Sequence, residues 1–303
     1  GPEDIVRDAD IAMYRAKAAG RNTIRFFRQS MAAEVSQRLE MAKDLRQALE
    51  QSQFRLHYQP QVDARTQRIL GMEALLRWEN AQQGTIGPGR FIPVAEHSGL
   101  IRAIGLWVLR NACSQAKAWL DAGFEFSHVA VNVAGPQVQD PGFADKVEEV
   151  LAASGLPARR LQLEVTESFV MHRPSDGIRE LRRLRAKGIE IAIDDFGTGY
   201  SSLSYLKQLP IDTLKIDQSF VRDIPHDTND MAISAAVVAM AGELGLKTIA
   251  EGVETTAQAN FLRDHGCRMA QGFLFSRPVS PDEVPGFFEQ QVEALGPEVK
   301  AAD

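Results

Sequence analysis

Short apolar runs rich in β-branched residues alternate with amphipathic stretches from about residue 55 onward. Such runs predict strands, and the stretches between them, apolar at every third or fourth position, predict helices. The predicted strands are Phe54–Tyr58, Ile69–Leu75, Val129–Val133, Leu161–Val165, Ile189–Ile193, Thr213–Ile216, Lys247–Ala250 and Ala270–Phe275. Eight strands separated by helices indicate the α/β class and a closed, TIM-like (β/α)8 barrel.

The connections between the strands refine this expectation. One connecting stretch keeps a single apolar face, formed by Leu106, Leu109, Cys113, Ala116 and Leu120. Gly123 follows that stretch, where a left-handed residue ends a helix and turns the chain into the next strand. The polar turn Asp63–Arg68, by contrast, joins the first two strands as a hairpin. We therefore expect one strand of the barrel to run antiparallel to the others.

The pattern of charged residues helps to predict how the chain is divided into a linker, the barrel and a tail. Residues 31–51 form a polar, charged helical pattern, which predicts a linker helix. The barrel is then expected over residues 52–290, with a flexible tail at 291–303.

Composition narrows the possible partners and the location. The 303 residues include 34 Lys and Arg against 40 Asp and Glu, a net charge of −6, so no global basic field would draw the chain to a nucleic acid polymer or an anionic membrane. The longest apolar run, Ile233–Gly242, is too short to span a bilayer. Cys113 and Cys267 lie outside any metal or redox spacing and are expected to be buried, reduced thiols, as in a cytoplasmic protein. The six histidines share no spacing and are interpreted as structural or surface residues.

Carboxylates and amides follow the apolar strands in a regular way. Polar side chains stand at the carboxyl ends of seven predicted strands, namely Glu73, Asn132, Glu164, Asp194, Asp195, Lys215, Glu251 and Gln271. In a (β/α)8 barrel those ends converge on one mouth, so these side chains are expected to line a single pocket. Any single acid there has an even chance of being a structural carboxylate. Five or more would repel one another unless cations neutralised them.

The donor types predict which cations these are. All the candidate ligands are oxygen donors, which favours Mg²⁺ or Mn²⁺ over Zn²⁺. Asp194 and Asp195 would point to opposite faces of a regular strand, but a break at Phe196-Gly197 would let both turn inward. A pair of divalent ions suits phosphodiester hydrolysis. Lys215, one strand later, is then expected to neutralise charge on the phosphoryl group or to orient the water.

A long ordered series of motifs runs from Phe54 to Val279: HYQPQVD, MEALLRW, FIPVAEHSGLI, LEVTES, IAIDDFGTGYSSLSYLKQLPIDTLKID, AEGVET and QGFLFSRP. The series closely resembles the EAL family of cyclic di-GMP phosphodiesterases. The resemblance implies two Mg²⁺ or Mn²⁺ ions held by Glu73, Asn132, Glu164, Asp194 and Asp195, with Glu251 as a further ligand or general base and Lys215 assisting the water. It also implies that Gln59, Arg77, Gln271 and Glu254 hold the substrate or support the ligands.

The glycine-rich segment FGTGYSS after the paired aspartates permits two simple interpretations, a phosphate cradle or a turn. It is also similar to the family's regulatory loop, which the resemblance implies is steadied by Glu167. The residues of this loop are Phe196, Gly197, Thr198, Gly199, Tyr200, Ser201 and Ser202. One departure from the family pattern is Asn132-Val133-Ala134 in place of Asn-Leu-Ser, which keeps the ligand and changes its neighbours.

The expected function is hydrolysis of cyclic di-GMP to linear pGpG. Two alternatives stay open: a weakly catalytic receptor that binds cyclic di-GMP, and an interaction scaffold, since such barrels often form homodimers through helices near the regulatory loop. Residues 1–30, with DADIAMYRAKAAGRNTIRFF, resemble the end of a GGDEF diguanylate cyclase domain. That resemblance implies a tandem parent protein, whose own membrane tethering the sequence leaves open.

Overall fold

The computed structural model describes residues 26–171, 175–199 and 206–295, with single positions at 9, 13 and 24. The chain divides into two compact units, Gly1–Phe54 with Trp78–Leu100, and Arg55–Arg77 with Ile101–Asp303. Most of the predicted GGDEF remnant at 1–30, and residues 296–303 of the predicted tail, lie outside the described residues. The proposed domain boundaries therefore stay predictions.

Eight strands close into a barrel, as predicted. They are β1 (Phe54–Asp63), β2 (Ile69–Asn80), β4 (His128–Asn132), β5 (Leu161–Thr166), β6 (Glu190–Phe196), β7 (Thr213–Ile216), β8 (Lys247–Ala250) and β9 (Met269–Ala270). The order around the sheet is β1-β9-β8-β7-β6-β5-β4-β2, and a further pairing of β1 with β2 closes the ring. Strand β1 runs antiparallel to β9 whereas β2 and β4–β9 form parallel ladders, which confirms the expected antiparallel strand.

Helices occupy the connections between the parallel strands, and a last helix follows β9. They are α3 (Ile101–Asp121), α4 (Gly135–Val138), α5 (Phe143–Ser154), α6 (Glu167–Met171), α7 (Ser175–Ala186), α8 (Thr228–Glu243), α9 (Thr256–Asp264) and α10 (Val284–Leu295). In α3 the predicted apolar face is buried at Leu109, Cys113 and Ala116. In the described part of the chain, no helix combines the length and the apolar character that crossing a membrane requires.

The first unit is built around the predicted linker. Helix α1 (Gln29–Glu50) is followed by β3 (Gly84–Ile86) and α2 (Pro88–Ser98), and β3 pairs antiparallel with the end of β2. Three aromatic rings from Phe54, Trp78 and Phe91 form its core, with centroids 5.7–6.2 Å apart. Burying rings of this size at such separations contributes more than area alone, so the cluster stabilises this unit.

Several bounds differ from the predicted ones, and β1 and β2 continue to Asp63 and Asn80 instead of ending at Tyr58 and Leu75. The last predicted strand, Ala270–Phe275, is only Met269–Ala270, because the chain then bonds to Val253: Val253 N donates to Gln271 O at 3.0 Å, and Leu274 N donates to Val253 O at 3.0 Å. The predicted barrel end at residue 290 lies inside α10.

The barrel interior carries polar side chains at both of its ends. Residues paired in a parallel ladder share a face, and the ladders place a row of polar side chains near the amino ends of the strands. This row, called the floor below, consists of His128, Gln162, Glu190, Thr213 and Lys247. The candidate site lies at the opposite, carboxyl end, where the predicted ligands stand.

Candidate active site

A buried ammonium lies at the centre of the predicted acidic residues. Its partners come from four strands, and Lys215 Nζ is 2.6 Å from Glu164 Oε2, 2.6 Å from Glu251 Oε1, 3.0 Å from Asp194 Oδ1 and 3.7 Å from Glu73 Oε2. Lys215 is 0% exposed. The structure thus brings together the acids that the sequence placed at separate strand ends.

The charges at this centre do not balance. Burial disfavours the charged form of Lys215, but the surrounding carboxylates outweigh it and hold the pKa of the ammonium well above its usual range. Burial and the neighbouring carboxylates raise the pKa of Glu164 well above normal. Burial first, and then repulsion from Asp194 and Glu73, raises the pKa of Glu251 to about 8. A single ammonium leaves an excess of negative charge.

Glu73 is held in place by two amides. Asn132 Nδ2 donates to Glu73 Oε1 at 2.6 Å, and Gln271 Nε2 donates to Glu73 Oε2 at 2.5 Å. Burial alone would raise the pKa of Glu73, but the attraction of Lys215 and these hydrogen bonds lower it below its ordinary value. Because Asn132 uses its amino group on Glu73, its carbonyl oxygen is the atom it has to offer a metal ion.

The two adjacent aspartates converge through a bulge that lies just before the end of the strand at Phe196, where the sequence predicted a break. Strand β6 continues to Phe196, and its register with β7 shifts between Ile193 and Phe196. Asp195 has a φ of 55°, a left-handed conformation that turns its side chain out of the normal alternation. Carboxylate oxygens of Asp194, Asp195 and Glu251 consequently lie within 4.8 Å of one another. Burial and the nearby Asp194 raise the pKa of Asp195 to about 6.

One carboxylate oxygen among these acids has no hydrogen-bond donor within the part of the chain that the structure describes. Asp194 Oδ1 is buried and accepts no hydrogen bond from the described residues, although it forms an ion pair with Lys215 Nζ at 3.0 Å. A buried carboxylate oxygen without a donor is costly, and a cation removes the cost. The oxygen-only donor set, the negative excess and this oxygen all fit a divalent cation such as Mg²⁺ or Mn²⁺.

The predicted substrate-holding residues divide into two groups. Gln59 and Gln271 belong to the site: Gln271 Nε2 donates to Gln59 Oε1 at 3.0 Å, and Gln59 Nε2 donates to Ser276 O at 3.0 Å. Arg77 is half-buried and donates to Leu76 O at 2.9 Å, and burial lowers its pKa. Glu254 is exposed, and the contacts described here do not link its side chain to the centre around Lys215.

The predicted regulatory loop contacts Glu167 at its start. Glu167 is 1% exposed, and its Oε2 accepts from the backbone amides of Gly197 at 2.8 Å and Gly199 at 3.4 Å. Side chains would not fit at these glycines, since a Cβ at Gly199 would lie 2.8 Å from Glu167 Oε1 and one at Gly197 would lie 2.7 Å from Phe220 Cε2. Tyr200, Ser201 and Ser202 lie outside the described residues.

A family model for the EAL domain matches residues 42–278 of the chain. The chain belongs to the EAL domain family.

Curated relatives of this EAL domain are longer proteins. It is 48% identical over 281 residues to the bifunctional diguanylate cyclase/cyclic di-GMP phosphodiesterase MucR of Pseudomonas aeruginosa, a match that covers 93% of this chain and 41% of MucR. It is 45% identical over 277 residues to the cyclic di-GMP phosphodiesterase NbdA of the same organism, covering 91% of this chain and 35% of NbdA. The EAL domain therefore spans about two fifths or less of these relatives.

Solved structures show the same architecture. The structure titled PaMucR phosphodiesterase, c-di-GMP complex, superimposes with a TM-score of 0.78 at 48% identity, covering 81% of this chain and 99% of that one. The FimX EAL domain from Pseudomonas aeruginosa bound to c-di-GMP superimposes with a TM-score of 0.72 at 27% identity, covering 79% and 96%.

Two buried residues near the site, Gln61 and His128, were not among the site residues predicted from the sequence. Gln61 Nε2 donates to Gln271 Oε1 at 3.0 Å and lies 3.4 Å from Glu164 Oε1, while Gln61 Oε1 is 2.8 Å from His128 Nε2. His128 is one of the histidines interpreted as structural or surface residues, and its buried contact with Gln61 agrees with a structural role. The sequence contained one indication that Gln61 lies near the site. Gln59 and Gln61 are two residues apart in a strand, so their side chains lie on the same face.

Proposed function

We propose that this EAL domain hydrolyses one phosphodiester bond of cyclic di-GMP and releases linear pGpG, using water activated at a pair of divalent metal ions. The observation that carries the proposal is the excess of carboxylates around Lys215 at the carboxyl end of the barrel. The curated names of the MucR and NbdA relatives, both cyclic di-GMP phosphodiesterases, support the choice of substrate.

The residues proposed to hold the ions are the oxygen donors of the site, Glu73, Asn132, Glu164, Asp194, Asp195 and Glu251. Two bound Mg²⁺ or Mn²⁺ ions would supply a Lewis acid that lowers the pKa of water and neutralises phosphate charge. Asn132 and Gln271 orient Glu73 for this task from either side.

The chain's own groups provide the proton transfer and the charge stabilisation. The water oxygen would form a bond to phosphorus as one P–O ester bond breaks; the Glu251 carboxylate is proposed to accept the proton of the water, and the leaving ribose oxygen takes up a proton from solvent. The Lys215 ammonium is placed to stabilise negative charge growing on the phosphoryl oxygens. We assign Arg77, with its forked guanidinium, and Gln59 to the substrate.

Glu167 is proposed to couple the loop to the site. Its bonds to Gly197 and Gly199 fix the chain just after Asp195, so a change in the loop would move a proposed ligand. Self-association stays an expectation of the family resemblance, and light scattering that shows only monomer at micromolar concentration would contradict it.

A product assay tests the function. The purified chain, incubated with cyclic di-GMP and Mg²⁺ or Mn²⁺, is expected to release pGpG on a chromatogram, and a chelator is expected to stop the reaction. The Glu73→Gln variant is the matched control, because it keeps the size of the side chain and removes its charge. Binding of cyclic di-GMP without any product would contradict the hydrolase and favour the receptor.

A further inference from the structure

We infer that Gln61 and His128 form a positioning pair beneath the candidate metal centre, which fixes the direction of the hydrogen bonds that hold Glu73 and Glu164. The pair is proposed to act through Glu164 and Gln271, and neither of its members is among the proposed metal ligands or substrate-holding residues. Its consequences for turnover and for metal binding rest on the proposed function and its metal centre, whereas its consequence for the His128 tautomer does not.

The pair joins the floor of the barrel to the site. Gln61 is 0% exposed and His128 is 3% exposed, so water does not compete for their polar atoms. The Gln61 carbonyl oxygen faces His128 Nε2 at 2.8 Å, and the Gln61 amino group faces Gln271 Oε1 at 3.0 Å and Glu164 Oε1 at 3.4 Å. One amide thus contacts the floor on one side and the site on the other.

The direction of these bonds starts at His128. Burial lowers the pKa of the imidazole to about 4, so the ring is neutral near pH 7 and carries one proton. Since the Gln61 carbonyl oxygen can only accept, that proton must be on Nε2. The amino group of Gln61 is then turned towards Glu164 and Gln271. The reverse orientation would place a carbonyl oxygen against the Glu164 carboxylate.

The donor and acceptor roles at Gln61 also bear on which atom of Gln271 faces Glu73. Because Gln271 Oε1 accepts from Gln61, the amino group of Gln271 is left to face Glu73 Oε2 at 2.5 Å and Gln59 Oε1 at 3.0 Å. This donation is one of the contacts that lower the pKa of Glu73. The hydrogen-bond directions from His128 through Gln61 to Gln271 are therefore mutually consistent, and a change in the pair would alter which atom of Gln271 meets a proposed metal ligand.

Gly71 keeps the space that the pair needs. It pairs with His128 in the ladder between β2 and β4. A Cβ built at Gly71 would lie 2.5 Å from His128 Nε2 and 2.8 Å from Gln61 Oε1, so any side chain there would push the two groups apart. Gly71→Ala consequently perturbs the pair without altering either member.

The first experiment compares two buried glutamines of the same barrel. Gln61→Met removes the amide at similar volume, and Gln162→Met is the control, because Gln162 is also 0% exposed but donates to Glu190 and Thr213 at the floor. Mn²⁺ affinity is measured by titration calorimetry on variants that circular dichroism shows to be folded. We expect Gln61→Met to weaken Mn²⁺ binding by about ten- to a hundredfold, and kcat by a similar factor with KM changed less than about threefold. Gln162→Met is expected to keep the wild-type affinity.

Equal Mn²⁺ affinities for the two variants, whether both low or both normal, would overturn the inference. Gly71→Ala offers the same test if Gln61→Met does not fold, and it is expected to weaken Mn²⁺ binding in the same direction. NMR of the ¹⁵N-histidine-labelled, metal-free chain gives a readout independent of turnover: His128 is expected as the neutral tautomer protonated at Nε2, and protonation at Nδ1 would overturn the inference. A chain without hydrolytic activity that passes both tests would refute the proposed function alone.

Discussion

The two ends of the barrel interior both carry charge, but in different ways. Near the floor each charge has an opposite partner: Lys247 Nζ lies 2.6 Å from Glu190 Oε1, and Arg185 Nη2 lies 3.0 Å from Asp212 Oδ1. At the carboxyl end, Lys215 is surrounded by an excess of acids, namely Glu73, Glu164, Asp194, Asp195 and Glu251. The charges near the floor are neutralised by side chains of opposite sign, whereas the excess negative charge at the site has to be neutralised by bound cations.

Burial widens this difference. The side chains of Lys247 and Glu190 are 48% and 28% exposed, so solvent screens their attraction. Those of Lys215 and Glu164 are 1% and 0% exposed, so unbalanced charge is expensive there. The same residue types thus stabilise a surface at one end and prepare a binding site at the other.

The largest effect is expected from removing a proposed ligand at the site. Glu73→Ala should lower kcat by about a hundredfold or more, because changes to groups that merely support metal ligands already cost roughly ten- to a hundredfold. Initial rates of pGpG release measure the loss, and circular dichroism checks the fold. Activity within twofold of wild type would remove Glu73 from the site.

The second largest effect is expected on the pH dependence of the free energy of unfolding. The pKa of Glu251 rises from 4.5 to about 8 in the folded, metal-free chain, so between these values the folded state holds a proton that the unfolded chain has lost. The free energy of unfolding should therefore fall as pH rises from 5.5 to 8.5, by roughly 3 kcal/mol or less at 1.36 kcal/mol per pKa unit. Urea titrations in a chelator measure it.

Two controls separate Glu251 from other groups. Glu251→Gln should flatten this part of the pH dependence, and saturating Mg²⁺ should stabilise the wild type more at pH 8.5 than at pH 5.5, because ions replace the protons. A pH dependence unchanged by both would contradict the assignment.

A smaller effect is expected where the loop meets the site. Glu167→Ala removes the acceptor of the Gly197 and Gly199 amides, and we expect a loss of about tenfold in kcat, within the range for groups that support metal ligands. Glu167→Gln, which keeps an acceptor oxygen, should recover part of that activity. If the two variants are equally impaired, the backbone contacts are not what matters.

The smallest effect belongs to the floor. Lys247→Gln breaks a partly exposed ion pair, so unfolding free energy should change by less than about 1 kcal/mol. Hydrolysis and Mn²⁺ affinity should both stay within twofold of wild type. A loss as large as that of a site variant would show that the two ends of the barrel are not distinct.

Much of the architecture could be predicted, because the periodicity of the strands and the glycines that end the helices are local features of the sequence. The closed barrel, its antiparallel first strand and the convergence of Glu73, Glu164 and Glu251 all follow from where polar residues interrupt apolar strands. The strand predicted over Ala270–Phe275 was too long, since the apolar residues after Gln271 bond to Val253, a partner outside any local pattern.

The details of the site were less accessible. The bulge at Asp195 depends on the register between β6 and β7, which no single strand encodes. The contact of Gln61 with His128 joins residues 67 positions apart; His128 stands at the amino end of β4, and Gln61 lies beyond the predicted strand Phe54–Tyr58. The role of Glu254 rests on the family motif alone and stays a prediction, because its exposed side chain makes no described contact with the centre around Lys215.

The central claim is that the acids around Lys215 coexist because divalent cations bind among them. Calorimetric titration of Mn²⁺ into the chelator-treated chain at pH 7.5, with and without cyclic di-GMP, tests it most directly. We predict about two ions per chain, with protons released as Glu164 and Glu251 ionise, and loss of binding in an Asp194→Asn, Asp195→Asn double variant. A folded chain that binds no Mn²⁺ at millimolar concentration under either condition would contradict the claim.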